Sequence, residues 1–101
     1  MPKVFEYMGI IMFFYSNEHE PIHIHARRGE FESKAEFFLE DGEIVAIRIT
    51  NVRGYDPLKG TDLKNLKTFL EYYAKNIVQK WSDYFVQQKS INFEKVSKRL
   101  K

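Results

Sequence analysis

The chain has 101 residues, 44% hydrophobic and 16% aromatic, with nine Phe, six Tyr, no Cys and a net charge of +2. So much apolar side chain excludes a disordered tail, and the length suits one domain, 1–101, around one core. The lack of cysteine rules out disulfides and thiolate metal sites. No apolar run approaches the ~20 residues that span a bilayer, and Met1-Pro2-Lys3-Val4 is no secretory leader, so the expectation is a cytoplasmic protein with no membrane contact. Residues 1–50 carry five Lys/Arg against nine Asp/Glu, whereas residues 51–101 carry eleven against five. That basic second half offers an attraction for nucleic acid or an acidic partner; solvated helix surface is the plainer reading.

Residues 4–7 and 10–15 are aromatic and β-branched and flank Met8-Gly9, whose glycine supplies the positive φ of a tight hairpin. The second of these strands is apolar on both faces and belongs inside a sheet. After a polar loop over residues 16–21, a third strand begins at Pro21 and closes at Gly29. Its alternation puts Ile22, Ile24 and Ala26 on one side and His23, His25 and Arg27 on the other.

Strands over residues 32–39 and 43–50 flank Glu40-Asp41-Gly42. A two-residue turn there would pair Ala35 with Arg48 on the apolar face. A three-residue turn, which pairs Phe37 with Val45 and Ala35 with Ile47, is the expected register. Residues 51–60, with Gly54, Pro57 and Gly60, read as a connection, and Thr61 or Asp62 as the cap of the next helix. Leu63, Leu66, Leu70, Tyr73, Ala74, Ile77, Trp81, Tyr84 and Phe85 recur every three or four residues in that helix, which ends near Gln87 or Gln88. At about 1.5 Å per residue it would run roughly 40 Å, so it must kink or pack its end elsewhere, for instance on a second copy in a homodimer. Phe93, Val96 and Leu100 among Lys95, Lys98, Arg99 and Lys101 suggest a terminal helix. The predicted fold is α+β: an antiparallel sheet of about five strands packed by one long amphipathic helix, plus a short C-terminal helix.

All three histidines fall in the string Asn17-Glu18-His19-Glu20-Pro21-Ile22-His23-Ile24-His25-Ala26-Arg27. With Phe14-Tyr15-Ser16 before it, Pro2 and Gly9 upstream, and a glycine turn, an Asp-Gly hairpin and a helix carrying Trp81 downstream, it resembles the bacterial domain-of-unknown-function family 4160. The likeness covers residues 1–86, leaving 87–101 as a basic extension. It implies the toxin-like member of a two-gene toxin-antitoxin module, with an antitoxin-like protein partner and a growth-arresting target, and carries over no catalytic residue. The chain departs from the family in having Ile22 where members commonly have a second proline, and in its longer connection over 51–60 and its tail.

From the residues themselves, several chemistries stay open. His19, His23 and His25 supply three imidazoles for a divalent metal, zinc above all, with Glu18 or Glu20 behind them. Without metal, His23 and His25 are candidate catalytic acid and base, and Arg27 or Arg28 the cation that steadies a phosphorane or a bound phosphate, in cleavage of RNA by its own 2′-hydroxyl. As a binding module, Arg27 and Arg28 would contact nucleic-acid phosphates while Tyr55, Tyr72 or Tyr73 stack on bases; the same face suits a protein partner. Finally, the histidines would simply hold the sheet and its polar loop in shape.

Overall fold

The computed structural model describes residues 2–15 and 21–101. Positive φ angles at Met8 (+52°) and Gly9 (+80°) turn β1 (Lys3–Tyr7) into β2 (Ile10–Phe13), with Tyr7 opposite Ile10, the two-residue hairpin expected of that dipeptide. β2 pairs with β3 (Ile22–Arg28), and β3 turns through Gly29 (φ +62°) into β4 (Phe31–Glu40). β5 (Glu43–Asn51) follows, and β6 (Glu94–Val96) completes a sheet ordered β5-β4-β3-β2-β1-β6.

That sheet corrects two expectations. Among the described residues it has six strands rather than five, and the predicted terminal helix is instead β6, running parallel to β1 with Glu94 opposite Phe5 and Val96 opposite Tyr7. Lys80 anchors the returning chain through Glu94 (3.1 Å) and the Asn92 carbonyl (2.6 Å), and the Leu100 amide donates to the Tyr7 hydroxyl (3.0 Å). A run of three or four residues whose backbone can join a sheet edge has more to gain there than an isolated helical turn.

The hairpin between β4 and β5 corrects a third. Asp41 (φ +52°) and Gly42 (φ +81°) form a two-residue turn that sets Glu40 opposite Glu43, not a three-residue one. A bulge at Val45 then shifts the ladder by one, so that Phe37 faces Ile47 and Ala35 faces Ile49. The bulge thus reconciles the preferred turn with an apolar inner face and keeps Arg48 off it.

Across that inner face lies α1 (Gly60–Trp81), packed on β1 and β3. Its buried side chains Leu66, Leu70, Ile77 and Trp81 follow the predicted stripe, joined by Phe69, which that stripe omits. Phe69 has no exposed surface and sits among Phe5 (5.2 Å between ring centroids), Tyr7 (5.4 Å) and Tyr73 (4.5 Å, stacked). Neither Thr61 nor Asp62 caps the helix. The N-cap is Lys59, without a side-chain bond, and Asp62 lies in the first turn, where it still complements the positive helix end. Ser82–Val86 continue as one turn of π-helix, closed by Gln87 N–H on the Ser82 carbonyl (3.0 Å). Tyr84 and Phe85 of that turn lie on Phe14 (6.2 and 5.7 Å), so the far end of the helix packs on the chain's own core. Among the described residues no helix is long and apolar enough to cross a membrane.

Candidate functional site on the outer face of the sheet

β3 sorts its side chains as its alternation dictates. Ile24 and Ala26 enter the core beneath α1, while His23, His25 and Arg27 point to the opposite face. The turn at Gly29 pairs Arg28 with Phe31, and so sets Glu32 directly opposite Arg27 and diagonal to His25. The Glu32 side chain is wholly buried, and its carboxylate gathers the site: His25 Nδ1 at 3.0 Å on one oxygen, Arg27 Nε at 2.7 Å on the other. A buried carboxylate needs such partners, since an unpaired charge out of water is costly.

Two tyrosines enclose the group. Tyr15 stands edge-on to His25, 4.2 Å between centroids, while Phe13 stacks on the same imidazole at 5.5 Å. Burial, and next the negative charge of Glu32, raise the Tyr15 phenol above its ordinary value, with a hydrogen bond to Glu32 adding to the rise. The connection after β5 delivers Tyr55. It is pinned to the start of β4 by Glu32 N–H on the Asp56 carbonyl (2.9 Å) and Leu58 N–H on Ser33 Oγ (3.0 Å). Tyr55 accepts a hydrogen bond from Arg27 Nη2 (2.9 Å) and lays its ring 5.0 Å from the guanidinium carbon. The bond to Glu32, chiefly, raises the Arg27 guanidinium further above its already high value.

Because a carboxylate and a carbonyl only accept, the hydrogen bonds fix the ring nitrogens. His25 donates Nδ1–H to Glu32, and His23 donates Nδ1–H to the Pro21 carbonyl at 2.8 Å. In the neutral form each ring therefore carries its lone pair on Nε2, and the two rings lie 5.3 Å apart. A ring nitrogen held by an oxygen orients the other, as in acid–base and metal sites, and on His25 that other nitrogen, Nε2, is itself buried. Among the described residues no three His, Cys, Asp or Glu side chains converge as a metal site. His19, Glu18 and Glu20 of the zinc expectation lie outside the described residues.

Other predicted site residues fall elsewhere. Arg28 faces the helix side, bonded to Asp62 (2.9 Å) and the Met8 carbonyl (3.3 Å), and so ties the first hairpin to the start of α1. Tyr73 packs on Phe5 and Phe69, Tyr72 is exposed on α1, and of the three tyrosines only Tyr55 joins the cluster. Glu32 and Tyr15 are the members that sequence reasoning missed. For Glu32 the signal was present, because a two-residue turn at Gly29-Glu30 places it across from Arg27.

Comparison with curated proteins and with solved structures finds no match. The family model described as Domain of unknown function (DUF4160) matches residues 9–82, from the glycine of the first turn through the whole of α1, and the chain belongs to that family.

Proposed function

We propose that this chain is the toxin-like member of a small bacterial two-gene module, acting on RNA through the outer face of β3. One observation carries the reading: the buried Glu32 carboxylate fixes the His25 tautomer and holds the Arg27 guanidinium beside it. In this role one imidazole takes the proton of an RNA 2′-hydroxyl as its oxygen attacks phosphorus. The second imidazole, protonated, donates to the departing 5′-oxygen, and a 2′,3′-cyclic phosphate results. Arg27, whose side chain is 34% exposed, faces the phosphorane charge. The partner implied by the two-gene arrangement is an antitoxin-like protein.

The test is incubation of untagged protein with total RNA, with and without chelator. Cleavage to cyclic-phosphate ends is expected in both arms, falling about 10²- to 10⁴-fold in His25→Gln or His23→Gln. Intact RNA, or unchanged cleavage by both variants, overturns it. Cleavage abolished by the chelator points instead to the zinc alternative on His19, His23 and His25, for which elemental analysis gives the metal content.

A second reading is favoured by burial: His23 is 6% and His25 3% exposed, against the rings of Tyr15 and Phe13. Here the histidines, Arg27 and Glu32 form a polar brace across β3 and β4, and the protein is a non-catalytic binding module. Intact RNA together with a large loss of stability in His25→Gln is its signature.

A further inference from the structure

An aromatic ring open to water is ordinarily free to turn, but that of Tyr55, 38% exposed, is fixed at both ends. Its own N–H donates to the Val52 carbonyl (3.1 Å), and the next residue is joined to β4, where Asp56 bridges to Phe31 and its carbonyl accepts from Glu32 N–H (2.9 Å). At the far end the Tyr55 hydroxyl accepts from Arg27 Nη2 (2.9 Å). The guanidinium carbon lies 5.0 Å from the centre of this ring and 5.4 Å from that of Phe13, so the cation is held by two rings as well as by Glu32. With Nε on Glu32 and Nη2 on Tyr55, the described residues leave the Nη1 hydrogens of Arg27 without an acceptor. Gly54, just before the ring, has open space where a side chain would stand, and α1 lies on the opposite face of the sheet. A fixed ring with open surface thus stands beside a fixed cation with spare donors. These are partners for the base and the phosphate of a nucleotide.

We infer that Tyr55 is the platform on which an unpaired base stacks, and that the chain therefore takes single-stranded RNA and not duplex. Such a role presupposes the action on RNA proposed above. In a duplex each base is covered on both faces by its neighbours and paired along its edge, so a protein ring reaches it only by unstacking it. In a loop or an open strand the π-face is available, whichever base carries it. A base laid on Tyr55 brings the phosphate beside it to the spare donors of Arg27, and His25 stands two residues further along the same face of β3. Because ring and cation are already fixed, little side-chain freedom remains to be lost on binding. A tyrosine that served only to steady Arg27 would need its hydroxyl and not its open surface, and that difference is measurable.

Fluorescence anisotropy of the full chain with an end-labelled oligouridylate about twelve nucleotides long tests it, 2′-O-methyl groups blocking cleavage so that binding is read alone. Wild type should bind the open strand about 10-fold or more tighter than the same strand annealed to oligoadenylate, and tighter than a strand of equal length without bases. Tyr55→Leu should weaken binding of the open strand about 5- to 100-fold and erase its advantage over the baseless one. Tyr55→Phe keeps the ring, gives up the bond to Arg27, and should stay close to wild type. Equal affinity for open, duplex and baseless strands overturns the inference. So does a Tyr55→Phe as weak as Tyr55→Leu, which would make the residue a support for Arg27 alone. Circular dichroism verifies the fold of each variant, and should Tyr55→Leu fail to fold, the three strands on wild-type protein decide. Total RNA separates this role from the proposed cleavage. Cleavage together with equal affinities refutes the stacking platform only, whereas a Tyr55-dependent preference for the open strand without cleavage supports the platform and refutes the nuclease.

Discussion

Replacing Glu32 with Gln removes one charge and one acceptor from the centre of the outer face. The carboxylate accepts from His25 Nδ1 and from Arg27, whereas an amide offers a single acceptor oxygen and turns an NH₂ toward a donor. At least one donor loses its partner, and hydrogen bonds to charged groups contribute about 1.5–3 kcal/mol each. The 34% exposed Arg27 head recovers part of this from water, which places the net loss at about 2–4 kcal/mol. For a domain of this size that corresponds to a fall in melting temperature of roughly 10–25 °C. Thermal and urea unfolding followed by circular dichroism at neutral pH measure it. Replacing the group together, with Glu32→Leu, His25→Phe and Arg27→Met, should cost less than the single amide, because the donors on His25 and Arg27 go with the carboxylate. A fall below about 3 °C for Glu32→Gln, or a triple variant worse than the single one, would show that burying the carboxylate already cancels what its partners return.

Alkaline pH tests the environment of Tyr15. Its phenol is raised above the ordinary value of 10.0, first by burial and then by Glu32, so the fold favours the neutral ring. The resulting stabilisation is present in full below about pH 10 and is lost as pH climbs through the higher folded value. Urea midpoints of wild type and Tyr15→Phe between pH 8 and 11 should therefore converge at the top of the range; parallel curves would contradict the assignment. On the other face, Phe69→Ala removes a fully buried ring from between Phe5, Tyr7 and Tyr73. The expected cost is about 3–5 kcal/mol, and a loss below about 1 kcal/mol by urea titration would mean that the core collapses onto the space.

What could be read from residues alone follows the range of the interaction. The two faces of β3 and the hairpin at Met8-Gly9 depend on neighbours one to three positions away, and both are found as expected. The stripe of α1 was legible for the same reason, although Phe69 was passed over. The ladder between β4 and β5 was not, because turn chemistry and hydrophobic pattern demanded different registers and the chain satisfied both with a bulge at Val45. β6 was hidden more deeply: Phe93, Val96 and Leu100 are spaced like a helix, and it is β1, far away in sequence, that draws residues 94–96 between them into a strand.

The candidate site divides along the same line. Alternation alone brought His23, His25 and Arg27 to one face, and the same alternation, followed one residue further, sends Arg28 to the other. Glu32 needed the additional step of setting the turn at Gly29, and Tyr55 needed the connection that Asp56 and Leu58 pin to β4. The consequence is practical. Glu32 both braces the sheet and orients His25, so a loss of activity in its variants would report stability and chemistry together. Arg27, partly exposed and carrying its charge toward Tyr55 and solvent, is where the two separate. Arg27→Lys keeps the cation but gives up the forked contact, so under the proposed RNA-cleavage reading it should lower cleavage of total RNA more than it lowers the melting temperature.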